Sequence, residues 1–266
     1  MTIEKRVAII GGGNLGTAIA DGLLASNFCS AAAITLTRRN TDQLEAYAKK
    51  GVIVSSDNLA AVKNAGIIII AVKPFQIAEV IASFKSVLTS DYIVVSVVTG
   101  VSLQELRGLI EKDIPLFRAM PNTAIAIQQS MTCISHQQAS TAQVQYVSSI
   151  FNLLGKVAII NDGLMDAATV LGACGTAFAM RYIRANIQGG IEIGFDSETA
   201  STIAAQTVKG AADLLLTRRT HPEQEIDKVT TPKGCTIAGL NEMEHRGFSS
   251  SLIKGIASSF NKIAKH

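Results

Sequence analysis

The chain has 266 residues, a formal net charge of +3 and a hydrophobic content of 48%. This length accommodates one or two domains, and the intermixed basic and acidic residues exclude the continuous basic stripe of a nucleic-acid-binding protein. The most apolar run, residues 65–72, is far shorter than the roughly 20 residues that cross a bilayer, and the N-terminus does not resemble a signal peptide. We therefore expect a cytoplasmic protein that binds neither membranes nor nucleic acid.

The first part of the chain alternates strand and helix patterns. Predicted strands cover residues 6–10, 33–37, 52–54, 67–72, 92–98, 115–119, 131–135 and 155–160. Predicted helices cover residues 15–25, 41–49, 77–88, 103–110 and 141–154. This alternation is typical of an α/β domain with a mainly parallel sheet covered on both faces.

After about Asp162 the strand patterns nearly vanish. Predicted helices cover residues 164–174, 177–193, 197–216, 223–229, 237–246 and 249–263. The sequence thus predicts a dinucleotide-binding domain over residues 1–161 and an all-helical domain over residues 162–266. The predicted helices are apolar around much of their circumference, as in "IAAQTVKGAADLLL" at residues 203–216, so we expect at least an intimate homodimer.

Cysteine and histidine show no ligand-like spacing. The cysteines (Cys29, Cys133, Cys174 and Cys235) are far apart, and the four histidines are scattered. This pattern suits neither a zinc site nor a disulfide framework. We expect no bound metal, and reduced thiols that are mostly buried.

A glycine-rich motif joins the first predicted strand to the first predicted helix in "VAIIGGGNLGTAIADGLLAS", residues 7–26. Gly11, Gly13 and Gly16 match G-x-G-x-x-G, in which the glycines permit a tight turn, close approach to a pyrophosphate and close helix packing, respectively. The helix N-terminus favours a phosphate, which adds Asn14 and Leu15 to the predicted cofactor-binding residues. The alternative is a glycine turn that serves packing alone.

The end of the second predicted strand indicates which dinucleotide binds. Residues 34–40, "ITLTRRN", offer Arg38 and Arg39 where an acidic residue would bond the 2′-hydroxyl of NAD. Arginine can hold a 2′-phosphate with paired N–H bonds, so NADP(H) is favoured and NAD(H) is the alternative cofactor. The two arginines could instead form an ordinary solvated turn.

A second loop is predicted at the same edge of the sheet. It follows the fourth predicted strand as "AVKP", and it comprises Ala71, Val72, Lys73 and Pro74. Ligands of open parallel sheets bind at the carboxyl ends of the strands, so these four residues should line the nucleotide cleft. Taken alone, the segment is an ordinary strand-to-helix turn.

The chain resembles the pyrroline-5-carboxylate reductase family over nearly its whole length. The resemblance rests on the glycine motif, "AVKP", "SVVTGVSLQEL" at 96–106, "RAMPNTA" at 118–124 and "HPEQEIDKVTTPKGCTIAGLNEME" at 221–244. It implies a Rossmann-type dinucleotide-binding domain followed by a helical dimerisation domain, with dimers that can assemble into a larger ring. The implied activity is reduction of L-1-pyrroline-5-carboxylate to L-proline with NADPH, or NADH in some members.

The resemblance also implies the substrate-binding residues. In "TTPKGCTIAGLNEMEHRG", residues 230–247, backbone N–H groups around Gly234, Cys235 and Thr236 would lie at a helix start and face the substrate carboxylate. Thr236 corresponds to the family's threonine that hydrogen-bonds the substrate near the imine nitrogen, and we assign it the catalytic role. Thr231 corresponds to a position beside the same pocket. A helix cap is the alternative role of Thr236.

Two asparagines complete the predicted cofactor site. Asn122 of "RAMPNTA" corresponds to the family's asparagine near the nicotinamide and ribose. Asn58 corresponds to a position on the adenosine side, and a helix cap is its alternative role.

The chain departs from the family pattern at four positions. Thr176 replaces a proline and Phe178 a tyrosine at the start of the long interface helix. In the substrate loop, Lys233 replaces a glycine, and Cys235 replaces a threonine or alanine. These changes bear on the exact substrate and rate more than on the fold.

Three other functions compete with this interpretation. A β-hydroxyacid dehydrogenase would need a helical lysine and an asparagine four residues later, but "TAFAMRYIRANIQGG" offers Arg181 instead. A reductase of another cyclic imine and a non-catalytic NADP-binding sensor share the predicted fold. Turnover of pyrroline-5-carboxylate would separate these functions.

Overall fold

Eight strands form a single sheet in the computed structural model, which describes residues 6–263. The strands are β1 (Val7–Ile10), β2 (Ile34–Thr37), β3 (Ile53–Ser55), β4 (Ile67–Ile70), β5 (Ile93–Ser96), β6 (Leu116–Met120), β7 (Ser130–Gln137) and β8 (Gly155–Ile159). Their order is β3-β2-β1-β4-β5-β6-β7-β8, and every neighbouring pair is parallel except β6 and β7. The predicted mainly parallel sheet is confirmed, with several strand ends shifted by one or two residues.

Helices cover both faces of this sheet. They are α1 (Asn14–Ala25), α2 (Glu45–Lys49), α3 (Asn58–Lys63), α4 (Ile77–Phe84), α5 (Leu103–Ile110), α6 (Thr141–Asn152) and α7 (Met165–Ala168). Ile9 and Ile69 pack on one face with the cluster that contains Ile19 of α1. Ile10 packs on the other face with the cluster that contains Phe84 of α4. Successive strand residues therefore enter opposite cores, which explains why the central strands are apolar throughout.

Several predicted helices differ in detail. α3 was not predicted, although Asp57 caps it by accepting a hydrogen bond from the Ala60 N–H at 3.1 Å. The predicted helix over residues 41–49 begins as the 3₁₀ turn Thr41–Leu44, and the one over residues 164–174 ends as the π-helix Thr169–Cys174. α3 has only six residues, and the 3₁₀ and π-helical segments do not follow the 3.6-residue repeat of an α-helix. Sequence periodicity therefore could not identify these segments.

The remaining helices form a second compact unit, Gly175–Lys262, separate from the unit that contains the residues up to Cys174. They are α8 (Gly175–Glu192), α9 (Ser197–Arg218), α10 (Pro222–Lys228), α11 (Cys235–His245) and α12 (Phe248–Ile263). The predicted all-helical character is confirmed. The predicted domain boundary at residue 161 or 162 stays a prediction.

The helical unit exposes most of its apolar side chains. Within its described residues only Ala200 and Ala204 are buried, while Ile193, Leu216 and Ile253 are largely exposed. The helical stretch Asp162–Glu192 is also long and apolar enough to cross a membrane by length and composition alone, and 17% of its most apolar window is buried. An apolar surface of this kind needs a cover that the single chain does not supply.

The cysteines are less buried than expected. Cys29, Cys133 and Cys174 are partly buried and Cys235 is exposed, so the prediction of mostly buried thiols is wrong. All four are reduced, and residues 6–263 contain no cluster of three or more potential metal ligands.

Candidate functional site

The glycine loop lies where the strand order reverses. β1 pairs with β2 on one side and with β4 on the other, so the chain turns outward in both directions from the gap between β1 and β4. The loops that follow these two strands meet there, because the Ala71 N–H donates to the Ile10 carbonyl at 2.8 Å. This edge of an open α/β sheet is the usual place for a bound nucleotide.

Gly11, Gly13 and Gly16 each have different surroundings, which determine what a side chain would meet at that position. Gly11 has a φ of +112°, and a Cβ at this position would lie 2.5 Å from the Ala71 carbonyl oxygen. A Cβ at Gly16 would lie 2.0 Å from the Gly11 carbonyl oxygen, so helix α1 could not keep its distance from the loop. A Cβ at Gly13 would meet no protein atom within 4 Å. The space beside the Gly13 backbone is therefore open.

The N-terminus of α1 faces the same space. Gly13 is its N-cap and provides no side-chain hydrogen bond, and the first turn, which holds Asn14 and Leu15, carries no acidic side chain. The first N–H groups of the helix thus remain available, and no carboxylate opposes an anion.

The two arginines after β2 have different surroundings. The Arg38 guanidinium donates to the Gly12 carbonyl at 2.5 Å, which places a cation at the glycine loop. Arg39 is 74% exposed and forms a 3.4 Å ion pair with Glu79, which is equally exposed. Arg38 therefore lies at the glycine loop, whereas Arg39 forms an ordinary ion pair on the surface.

Thr37 supports the loop and was not singled out in the sequence. Its backbone carbonyl accepts from the Gly12 N–H at 2.6 Å, and its hydroxyl accepts from the Gly11 N–H at 3.4 Å and donates to the side-chain oxygen Oδ1 of Asn58 at 2.8 Å. Asp57, not Asn58, caps α3, so the cap alternative for Asn58 is wrong. Asn58 is instead tied through Thr37 to the glycine loop.

The loop after β4 places its residues unequally. A Cβ on Gly11 would lie 2.9 Å from a Val72 methyl group, so Ala71 and Val72 border the glycine loop directly. Lys73 and Pro74 are exposed and lead into the 3₁₀ turn Pro74–Gln76. Phe75, which sequence reasoning missed, is 86% exposed in this turn.

Asn122 is fixed by three hydrogen bonds. Its N–H donates to the Ser130 hydroxyl at 3.1 Å, its side-chain carbonyl accepts from the Ala124 N–H at 3.1 Å, and its amide group donates to the Gly172 carbonyl at 3.2 Å. The side chain therefore caps the 3₁₀ turn Thr123–Ile127 and contacts the π-helix. One amide hydrogen remains for a ligand.

Arg118, four residues before Asn122, is buried and forms an ion pair with the partly exposed Asp162, which was also missed. The Arg118 guanidinium, 6% exposed, is 2.9 Å from an Asp162 carboxylate oxygen, which also accepts from the Ser135 hydroxyl at 2.7 Å. The other Asp162 oxygen accepts from the Leu103 N–H at 3.2 Å. An arginine inside an otherwise apolar strand was the available signal, because such a charge must be paired when it is buried.

The predicted substrate loop belongs to the helical unit. The Gly234 N–H donates to the Thr231 carbonyl at 2.9 Å, with Pro232 and Lys233 between them, and Lys233 has a φ of +58°. A proline followed by a positive φ is typical of a type II turn. A Cβ on Gly234 would lie 2.5 Å from the Thr231 hydroxyl oxygen and 3.0 Å from its carbonyl oxygen, so this close approach favours glycine.

The turn leads directly into α11. Gly234 is the N-cap, Cys235 is the first helical residue and Thr236 is the second, so the cap alternative for Thr236 is wrong. The N-cap supplies no side-chain hydrogen bond, and the first turn has no acidic residue. Within residues 6–263 the hydroxyls of Thr231 and Thr236 have no hydrogen-bond partner. The start of α11 thus leaves its first N–H groups without a side-chain cap, a feature that favours an anion.

Comparisons with known proteins cover both units. Residues 162–266 match the family model for pyrroline-5-carboxylate reductase dimerisation, and residues 6–100 match the model described as NADP oxidoreductase, coenzyme F420-dependent. The crystal structure of Plasmodium falciparum pyrroline carboxylate reductase with NADP bound shares the fold, with a TM-score of 0.88, 23% identity and 97% of each chain covered.

Two curated relatives come from Dictyostelium discoideum. Pyrroline-5-carboxylate reductase 1 is 48% identical over 98% of this chain, which spans 50% of that longer protein. Pyrroline-5-carboxylate reductase 2 is 44% identical over 98% of this chain and 93% of the relative. The chain therefore belongs to the pyrroline-5-carboxylate reductase family.

Proposed function

We propose that the protein reduces L-1-pyrroline-5-carboxylate to L-proline with NADPH, the last step of proline biosynthesis, as a soluble cytoplasmic enzyme. The observation that carries this proposal is the Thr231–Thr236 loop, in which a turn leads directly into a helix N-terminus that has no side-chain cap and no acidic residue in its first turn. The membership of the chain in the pyrroline-5-carboxylate reductase family also supports this proposal.

The residues have separate roles in this reaction. When bound, NADPH supplies the hydride that reduces the C=N bond. The N–H groups of Cys235 and Thr236 hold the substrate carboxylate, and Gly234 shapes the turn that places them, since its own N–H donates to the Thr231 carbonyl. The Thr236 hydroxyl hydrogen-bonds at the imine nitrogen, and Thr231 lines the same pocket. An imine that is protonated on nitrogen already accepts a hydride, so the chain needs to orient it more than to activate it.

The glycine loop and its neighbours form the proposed cofactor site. Gly11, Gly13 and Gly16 shape the pyrophosphate site, and Arg38 holds the 2′-phosphate. The other proposed contacts are Asn14, Leu15, Arg39, Asn58, Ala71, Val72, Lys73, Pro74 and Asn122. NADP(H) is the proposed cofactor, and NADH is expected to bind more weakly.

We also propose a homodimer built through the helical unit, with dimers able to form a larger ring. The segment that matches the dimerisation model is the one that exposes its apolar helices in the single chain. A second copy would cover this surface, including the apolar stretch Asp162–Glu192.

The direct test mixes the purified protein with pyrroline-5-carboxylate and follows the loss of NADPH absorbance, with NADH in parallel. Rapid oxidation is the expected result. Intact NADPH binding without oxidation would contradict the proposal and favour another cyclic imine or a non-catalytic binder.

Thr236→Ala is expected to lower kcat/KM about 10- to 100-fold, since a hydrogen bond to a charged group contributes about 1.5–3 kcal/mol. The free energy of unfolding should change by less than about 0.5 kcal/mol, because Gly234 rather than Thr236 is the N-cap. Steady-state kinetics and thermal unfolding check both expectations. Thr236→Ser should restore much of the activity, and unchanged kinetics in Thr236→Ala would remove the assigned role.

Arg38→Ala is expected to weaken NADPH about tenfold while leaving NADH nearly unchanged, because only NADPH carries the 2′-phosphate. Arg39→Ala is the matched control and should have a smaller effect, since Arg39 forms only an exposed ion pair. Fluorescence titration measures the dissociation constants of NADPH and NADH for each variant. Equal losses for NADPH and NADH would show that Arg38 acts through the loop backbone instead.

A further inference from the structure

We infer that Lys233 is a specificity-determining residue of the substrate loop, whose ammonium group selects cyclic imines that carry a carboxylate. The inference rests on the proposed function. Lys233 occupies the third position of the turn from Thr231 to Gly234, with a φ of +58°. This position of a type II turn favours glycine, because a side chain is strained in left-handed backbone.

The setting of Lys233 differs from that of three other left-handed residues, although Gln138, with a φ of +54°, also lies in a turn before a helix. Glu111, Gln128 and Arg219 have similar φ values, but each is the C-cap of a helical segment, where left-handed backbone is common. Lys233 instead precedes a helix, in a turn that glycine would form with less strain. An unfavourable residue at a ligand-binding loop is reason to ask what its side chain contributes.

The charge of Lys233 is not used inside the protein. The side chain is exposed and forms no ion pair with any residue between 6 and 263. Lys209 and Lys228 of the same unit, in contrast, pair with Asp213 and Glu225. The Lys233 ammonium is therefore free to act on a bound anion.

The position of Lys233 lets it reinforce the helix N-terminus. Three residues of chain span at most about 11 Å, so the backbone of Lys233 lies within roughly one Debye length of Thr236. α11 presents the positive end of its dipole at the same place, and its first turn has no acidic residue. Both positive sources therefore attract a carboxylate held at Gly234–Thr236.

This attraction acts on a part of the substrate that does not react. The carboxylate keeps its charge throughout the reduction, so the interaction stabilises the bound substrate and the transition state equally. Loss of the ammonium should consequently raise KM and leave kcat unchanged.

The experiment compares two substrates in the full-length protein. Lys233→Met keeps the length of the side chain and removes its charge. For pyrroline-5-carboxylate we expect about a threefold to tenfold higher KM with unchanged kcat, and a smaller difference from wild type at high salt. For 1-pyrroline, which lacks the carboxylate, KM should not change. Lys233→Arg should restore the wild-type KM.

Two further variants separate charge from folding. Lys233→Gly also removes the charge and suits the left-handed turn, so it should raise KM equally while increasing thermal stability. Lys63→Met, which removes an exposed lysine of α3 that has no ion pair with residues 6–263, should leave KM unchanged.

The outcomes are distinct. An unchanged KM in Lys233→Met, or an equal rise for both substrates, overturns the role of Lys233 while the proposed function stands. Failure of the wild-type protein to turn over pyrroline-5-carboxylate overturns the proposed function, and the role of Lys233 with it.

Discussion

Gly16→Ala is expected to weaken both NADPH and NADH by at least about tenfold and to lower the free energy of unfolding by about 1–3 kcal/mol. The new Cβ would lie 2.0 Å from the Gly11 carbonyl oxygen, which is a backbone atom that cannot rotate away. α1 must therefore shift relative to the glycine loop, and its first N–H groups would no longer point toward the proposed pyrophosphate position. Cofactor titration and chemical denaturation measure the two effects.

Gly13→Ser provides the matched control within the same loop. Serine is as good an N-cap as glycine or better, and its Cβ would meet no protein atom within 4 Å. This variant should keep the wild-type stability and still bind NADPH poorly, because the added atoms occupy the space assigned to the pyrophosphate. Tight NADPH binding by Gly13→Ser would show that the pyrophosphate lies elsewhere.

Asp162→Ala is expected to lower the free energy of unfolding by about 3–5 kcal/mol, because it leaves the buried Arg118 guanidinium without its main partner. Asp166 lies 3.9 Å from the same guanidinium and is a poor substitute. Chemical denaturation checks the loss. Asp166→Ala is the control and should cost less than about 1 kcal/mol. Similar effects of the two variants would contradict the role given to the Arg118–Asp162 pair.

The same pair makes stability depend on pH. Burial raises the pKa of Asp162, but the Ser135 hydroxyl, the Arg118 charge and the Leu103 N–H outweigh burial and hold the pKa below its usual value. Because the pKa is lowered on folding, the carboxylate stabilises the folded state at pH values above the pKa of the unfolded chain, about 3.9. This stabilisation is lost as the pH falls through the pKa of the folded state. Denaturation of the wild type below about pH 4 should therefore show a loss of stability that Asp162→Ala lacks.

Sequence periodicity predicted the sheet well because its strands are buried on both faces. β1 and β4 are continuous β-branched and apolar runs that end at glycine or at "AVKP", so their existence and direction could be inferred. The role of Gly16 also follows from local geometry, since the atom that its Cβ would meet belongs to Gly11 in the same motif. The helical unit could also be predicted, because its long segments place apolar residues at helical spacing.

Contacts between distant segments could not be predicted in this way. Thr37 joins Gly11 to Asn58, and Asp162 joins Arg118 to Ser135, across separations that depend on the strand order. The left-handed backbone of Lys233 was hidden as well, because its side chain gives no local sign of a positive φ. The family resemblance of the sequence marked this residue only as a departure from glycine.

The scarcity of buried residues in the helical unit affects how the chain reaches its native state. Ala200 and Ala204 are its only buried positions among the described residues, so this unit gains little hydrophobic free energy until another surface covers it. In the proposed dimer, that step is bimolecular and its extent depends on protein concentration by mass action. The nucleotide-binding unit, which has two large hydrophobic cores of its own, would then fold first. The helical unit would complete its packing only when two chains associate.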